Sequence, residues 1–304
     1  MHTKEEKLLA FKRLLDVQER LRKECPWDKK QTFQSLRPNT IEETYELSDA
    51  IINNDKKNIT KELGDLIEHI IFYSILGDES NDFDIADICN SQADKLMFRH
   101  DFIDWTGWEI DNKDMTISST GQVIYKEQEN NNRNSIYIKK PKTASQVESS
   151  WEQRKQKEKD GNKTVLSGVP SSLPSIIKAY RIQDKVRGVG FDWKKREDVW
   201  NKVQEEINEL HVELEKGDNN NSTMELGDVL FSIINAARLY KLNPDNALEL
   251  TNKKFINRFN YVEQKTKQQG KDLKELSLED MELLWNEAKS VSYTHLTLPT
   301  TERV

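Results

Sequence analysis

The sequence predicts a predominantly helical chain built around a duplicated core, and three observations carry this. Charged residues make up 33% and hydrophobic residues 35% of the 304 positions, with only 11 Gly and 7 Pro. That balance suits helices with narrow apolar stripes and broad solvated faces. Glu205-Glu206-Ile207-Asn208-Glu209 is followed by Glu225-Leu226-Gly227-Asp228. The same pattern occurs earlier as Glu42-Glu43-Thr44-Tyr45-Glu46 and Glu62-Leu63-Gly64-Asp65, with an equal interval between its two parts. One EExxE is weak evidence in a Glu-rich helical chain. Two, each with an ELGD partner at equal separation, mark an internal repeat.

The elements follow in order. Lys4 to Glu24 reads as a helix with Leu8, Leu9, Leu14, Leu15 and Leu21 as apolar positions, broken by Cys25-Pro26. Pro38-Asn39-Thr40 opens the first acidic helix, which runs to about Asn53, and Asn53-Asn54-Asp55 turns the chain. The helix carrying Glu62 and Asp65 continues through Ile75, and Asp84 to His100 forms another. Residues 101–145 change character. Short alternating runs, Gln122 to Tyr125 and Ser135 to Ile138, read as a hairpin or a mobile insertion.

Helical pattern returns at Gln146. Ser175 to Val186 is a helix, and Gly188 to Trp193 is a loop echoing Cys25-Pro26-Trp27-Asp28. The second acidic helix spans about Glu197 to Lys216. Asn219-Asn220-Asn221 turns the chain into a helix from Thr223 to Tyr240. Asn246 to Gln269 and Leu278 to Lys289 complete the second half. This gives domains at 1–100 and 146–290, with a linker or insertion of uncertain structure at 101–145. Residues 291–304 show no helical period and read as a cloning or assembly scar.

The acids carry the chemistry. For Glu42 and Glu43 a plain alternative is helix capping, because Thr40-Ile41-Glu42-Glu43 fits a capping box. Glu205, Glu206 and Glu209 lie mid-helix, where capping cannot explain them. Val199, Val203, Ile207, Leu210 and Leu214 form that helix's core stripe, and Glu206, Glu209 and Glu213 run along its edge. On the next helix Glu225, Asp228, Ser232 and Asn235 form one polar stripe on an otherwise apolar, mostly buried cylinder. Buried carboxylates need partners. An oxygen-only set of this kind suits Mg²⁺ or Mn²⁺.

The equivalent stripe of the first half, Glu62, Asp65, His69 and Phe72, is less polar at its end. Asn252, Lys254 and Arg258 share one helical face and would hold phosphate oxygens beside a metal, against the plainer reading of an ordinary charged surface. Lys95 and Arg99 repeat the Lys254–Arg258 spacing, with Ala93 where Asn252 would stand. Trp27 and Trp193 read first as core residues.

Composition bounds the remainder. A net charge of −7 argues against general nucleic-acid binding. Cys25 and Cys89 form neither ligand spacing nor a disulfide framework, so a reducing cytoplasm is expected. The first residues lack an apolar signal region, and no run approaches a membrane span.

At these residues the chain resembles the MazG family of nucleoside triphosphate pyrophosphohydrolases. The resemblance rests on Cys25-Pro26-Trp27-Asp28, Gln31-Thr32 and the first acidic set. In the second half it rests on Leu166 to Pro170, Ala179 to Gln183, Val189 to Trp193, the second acidic set, Asn252 to Phe259 and Gly270 to Leu273. It covers roughly 5–100 and 146–290. The family usually continues with a Pro-His pair after the position of Arg99-His100; here Asp101-Phe102-Ile103-Asp104 follows.

The resemblance implies an all-α fold of tandem helical bundles that pair with a partner chain. It implies conversion of a nucleoside triphosphate and water to the monophosphate and pyrophosphate, with Mg²⁺ as cofactor. On this reading Glu206, Glu209, Glu225 and Asp228 hold metal, and Glu205 orients or deprotonates water. Asn252, Lys254 and Arg258 bind phosphates, and Trp193 with Asp192 borders the base. Glu42, Glu43, Glu46, Glu62, Asp65, Lys95 and Arg99 form a possible second site. Two rivals remain open: a base-specific dNTP pyrophosphatase on the same helices, and a non-catalytic nucleotide- or protein-binding module.

Overall fold

The computed structural model describes residues 1–127, 141–155, 157–158 and 164–296. The chain divides into two compact units, Met1–Thr164 and Val165–Val304. Helix dominates both, and a two-stranded sheet is the only sheet among the described residues.

The first unit begins with α1 (Lys4–Glu24), whose N-terminus is closed by a Thr3/Glu6 capping box. A single 3₁₀ turn, Asp28–Lys30, leads to α2 (Phe33–Ile52) and α3 (Lys56–Glu79). The sequence places the start of α2 at Pro38, but the helix starts five residues earlier. Thr32 is its cap, exchanging hydrogen bonds with Ser35, and Pro38 lies inside the helix. Pro38 is the sixth residue of the helix, so its missing N–H leaves the Gln34 carbonyl without the bond it would otherwise accept. Thr40 is therefore no cap. Its hydroxyl bonds the Leu36 carbonyl at 3.2 Å, and Glu42 and Glu43 are mid-helix residues.

Asn54 in the left-handed region (φ 53°) turns the chain, and Asp55 caps α3. Leu36, Phe72 and Leu76 form the core between α2 and α3. Phe33 stacks on Tyr73 at 5.7 Å. Arg22 of α1 holds Glu79 of α3 through two bonds of 2.7 and 2.8 Å.

Helix α4 (Ile85–Arg99) packs on a hairpin of β1 (Met115–Ile117) and β2 (Val123–Tyr125), paired antiparallel with Met115 opposite Tyr125. Met97, Phe98, Met115, Val123 and Tyr125 make this second core. The expected strand at Gln122 to Tyr125 is present as β2. Its partner is Met115–Ile117, a run too short to announce itself; the expected run at 135–138 lies outside the described residues. Gly121 has φ 76°, and a Cβ there would meet the Asp104 carboxylate at 1.9 Å, so the turn requires glycine.

Helix α5 (Ala144–Lys155) lies within the first compact unit, whereas the sequence pattern places the start of the second domain at 146. Arg154 pairs with buried Asp101, and Arg99 pairs with Glu158 at 2.6 and 2.9 Å, tying this segment to the end of α4.

The second unit holds α6 (Ser175–Arg187), a 3₁₀ turn at Arg196–Asp198, α7 (Val199–Lys216) and α8 (Asn219–Leu239). It continues with α9 (Pro244–Gln268), a 3₁₀ turn at Leu273–Glu275, and α10 (Leu278–Leu296). The turn expected at Asn219 to Asn221 is instead the first turn of α8. Gly217 (φ 71°) ends α7, and Asp218 accepts from the Asn220 and Asn221 amides. Helix α10 also runs on to Leu296, through residues expected to lie outside the fold. Val199, Val203 and Ala236 form the α7–α8 core. The buried Gln183 amide of α6 donates to the Phe231 carbonyl at 2.8 Å.

Candidate functional site

Each unit builds its acidic site on two consecutive helices: α2 and α3 in the first, α7 and α8 in the second. The turn between them has the same construction in both, a left-handed residue (Asn54 or Gly217) followed by an aspartate cap (Asp55 or Asp218). A cap of this type stabilises a helix by about 1 kcal/mol. It also fixes the register that sets one acid row against the other.

The acids do converge. In the second unit Glu206, Glu225 and Asp228 each bring a carboxylate oxygen within 4.8 Å of the others. Glu206 is buried and Asp228 is exposed, so the set has a dry base and an open mouth. Glu209 stands beside it. Desolvation, followed by the hydrogen bond and charge of Glu206, pushes its carboxyl above the ordinary range. Glu205 lies outside the cluster, paired with Lys202 at 2.9 Å. In the first unit the converging set is Glu43, Glu46 and Glu62. Partial burial, then the charges of Asp65, Glu46 and Glu62, raises the Glu43 carboxyl. Its Oε2 is buried with no hydrogen-bond partner among the described residues. An orphaned carboxylate oxygen beside two more carboxylates fits a hard divalent cation bound through oxygen.

Both clusters carry a lysine, from different places. Lys61 of α3 reaches Glu62 at 3.0 Å, Asp65 at 3.6 Å and, across to α2, Glu46 at 3.8 Å. Lys202 lies along α7, 2.8 Å from Glu206 and 2.9 Å from Glu205. At the register of Lys61 the second unit has Met224, which is exposed. An open cleft of about 630 Å³ lies beside the first set, lined by Glu42, Tyr45, Glu46, Asp49 and Glu62 among others.

The remaining expected site residues separate into several environments. Asn252 is exposed and 3.4 Å from Glu249. Arg258 is half-buried, with its guanidinium 5.8 Å above Trp285 and its Nε without a hydrogen-bond partner among the described residues. Lys254 is exposed. Arg99 is engaged by Glu158, and Asp192 by Arg238, an arginine that sequence reasoning did not single out. Arg238 follows the polar stripe of α8 by one further step from Asn235, and that spacing is the signal that could have found it. Trp27 and Trp193, expected in the core, are 54% and 40% exposed.

Helix α8 also differs from the expected buried cylinder. Leu226, Leu230 and Ile233 are 43–54% exposed, as are their counterparts Leu63, Ile67 and Ile70 on α3 at 40–48%. Ile207 and Leu214 of α7 are likewise uncovered, so only Val199 and Val203 of the expected stripe are buried in the chain itself. Periodicity locates a face that needs cover; it does not say what covers it.

Comparison with known proteins agrees with this architecture. The model of the MazG nucleotide pyrophosphohydrolase domain matches twice, at residues 31–103 and 195–263, each match spanning one acidic helix pair. The nucleoside triphosphate pyrophosphohydrolase of Escherichia coli K12 is 34% identical over 284 residues, covering 91% of this chain and 96% of that protein. The nucleoside triphosphate pyrophosphohydrolase/pyrophosphatase MazG of Thermotoga maritima is 32% identical, covering 92% and 96%. The uncharacterised protein YabN of Bacillus subtilis is 36% identical, covering 94% of this chain and 53% of its own length. With the repeated acidic helix pairs in place and the likeness running through both units, the chain belongs to the MazG family of nucleotide pyrophosphohydrolases.

Proposed function

We propose that this chain hydrolyses nucleoside triphosphates to the monophosphate and pyrophosphate, using Mg²⁺ or Mn²⁺ held by the acids of the second unit. The observation that carries the reading is the convergence of Glu206, Glu225 and Asp228 within 4.8 Å. Three carboxylates at that spacing repel one another without a cation between them. Glu209, beside Glu206, adds a fourth acid.

A bound divalent cation would neutralise phosphate charge and lower the pKa of a coordinated water. Glu205, next to Glu206 on α7 and paired with Lys202 at 2.9 Å, would orient or deprotonate the attacking water. Asn252, Lys254 and Arg258 hold phosphate oxygens, with the two cations stabilising the leaving pyrophosphate. Trp193 borders the nucleoside, and Asp192, through Arg238, anchors the loop that carries it. Glu42, Glu43, Glu46, Glu62, Asp65 and Lys95 supply the corresponding parts of a second site.

Pairing of two copies over α3 and α8 is part of the proposal. Both helices present the same uncovered apolar row, and a second copy would bury it. Sedimentation tests this: wild type runs as a dimer, and Leu226→Glu with Ile233→Glu lowers its mass. Among the described residues no helix is long and apolar enough to cross a membrane. Free Cys25 and Cys89 suit a cytoplasmic setting.

The experiment is product analysis with each common NTP and dNTP, with and without Mg²⁺. Monophosphate and pyrophosphate are expected, abolished by Glu225→Gln and retained by Glu62→Gln. Turnover of a single dNTP would select the base-specific enzyme. Nucleotide binding by folded protein without any product would select the binding module.

A further inference from the structure

We infer that Lys61 is the internal counter-ion of the first unit's acidic set and holds that set in a low-affinity state for divalent cations. This rests on the reading that these acids hold a metal, and it concerns why the two sets differ.

The geometry is specific to the first unit. Lys61 Nζ lies within 3.8 Å of carboxylates on both helices: Glu62 and Asp65 of α3, and Glu46 of α2. Glu46 and Glu62 belong to the converging set, so the ammonium is placed at the cluster itself. The second unit carries no charge at that register, because Met224 precedes Glu225 as Lys61 precedes Glu62. Lys202 is not an equivalent. It pairs with Glu205 and Glu206, both on its own helix. Lys61 contacts acids of both helices, so its ammonium competes with a metal for oxygens on each side, whereas Lys202, although 2.8 Å from Glu206, contacts acids of α7 alone.

The anion side of the first unit is also occupied internally. Arg99, at the place corresponding to a phosphate-binding arginine, has its guanidinium taken by Glu158 at 2.6 and 2.9 Å. Lys61 is 61% exposed, so it can swing away, and the effect expected is weakening rather than exclusion. One unit charge about 4 Å from a divalent ion near a protein surface changes its affinity by roughly tenfold or more.

The test is Mn²⁺ binding to the full chain, read from the loss of the free-ion paramagnetic resonance signal, with no nucleotide present. The variants are wild type, Lys61→Met, Lys61→Arg, Glu225→Gln and Lys61→Met with Glu225→Gln. Wild type should show one tighter class of site, lost in Glu225→Gln. Lys61→Met should tighten a second class about tenfold, and that class should survive in the double variant. Lys61→Arg, which keeps the charge, should not produce it. Two equal sites in wild type, or no gain in Lys61→Met, would overturn the role of Lys61 while leaving metal binding intact. Wild-type binding unaffected by Glu225→Gln would overturn the metal reading itself.

Discussion

Asp192 and Arg238 are locked together in the second unit, with Arg238 Nη1 donating to Asp192 Oδ2 at 3.1 Å and Nη2 to Oδ1 at 2.5 Å. The arginine side chain is 5% exposed and also donates twice to Asn235. Removing one partner of such a pair strands a buried charge, and breaking a fully buried pair costs about 3–5 kcal/mol. Asp192 is 21% exposed, so Asp192→Ala is expected below that range, at about 2–3 kcal/mol in urea denaturation. Replacing Arg238 by Met in the same chain should recover part of that loss. If Asp192→Ala keeps full stability and only raises KM, the aspartate is a substrate contact and the loop is anchored otherwise.

That pair also shows where sequence reasoning stops. The repeat is legible because side-chain chemistry recurs at fixed register: five acids in each half, with the same left-handed residue and aspartate cap between the two rows. Contacts between elements were not legible, since nothing local in Asp192 points to Arg238, or in Arg99 to Glu158. The start of α2 was misread because Pro38 looks like a helix start, while Thr32 and Ser35 provide a cap five residues upstream. The exposure of α8 is not legible because its apolar row is left uncovered by the described residues. Met115–Ile117 gave too short a run for alternation to register.

Glu225→Gln should separate stability from chemistry. Without a cation, the carboxylates of Glu206, Glu225 and Asp228 repel one another across less than 4.8 Å. Near a protein surface such repulsion amounts to about 1 kcal/mol or more for a close pair. The amide keeps the size and removes one charge. Metal-free Glu225→Gln should therefore unfold at the same or slightly higher urea concentration than wild type, by up to about 1 kcal/mol. Added Mg²⁺ should stabilise wild type and not the variant. A clear loss of stability in the metal-free variant would mean that Glu225 is held by protein partners rather than poised for a cation.

The Arg22–Glu79 pair gives the first unit a defined acid sensitivity. The hydrogen bonds from Arg22 hold the Glu79 carboxyl below its ordinary value of 4.5. A carboxyl depressed in the folded state adds stability above its unfolded pKa, and this is lost as pH falls through the folded one. With Glu79 47% exposed, the contribution is a few tenths to about 1 kcal/mol. Glu79→Gln should cost that amount at neutral pH, and the gap to wild type should close as pH falls below about 4.5. Urea denaturation across that pH series measures it. A gap that stays constant to pH 3 would assign the contact to packing instead of charge.

Gly227 offers the sharpest probe of what lies outside the chain. It sits inside α8, between Glu225 and Asp228, and a Cβ built there meets nothing within 4 Å; the same holds for Gly64 in α3. A glycine in a helix interior costs roughly 0.5–1 kcal/mol relative to alanine. Nothing among the described residues requires it, yet both copies have glycine at the same register, beside the acids and the uncovered apolar row. This is the position a bound nucleotide or a partner helix would approach closely. Gly227→Ala should raise stability by about 0.5–1 kcal/mol in urea and lower turnover or weaken self-association, read by product analysis and sedimentation on the same preparation. A gain in stability with both of the other readouts unchanged would leave the glycine without an external neighbour and return the surface around it to solvent.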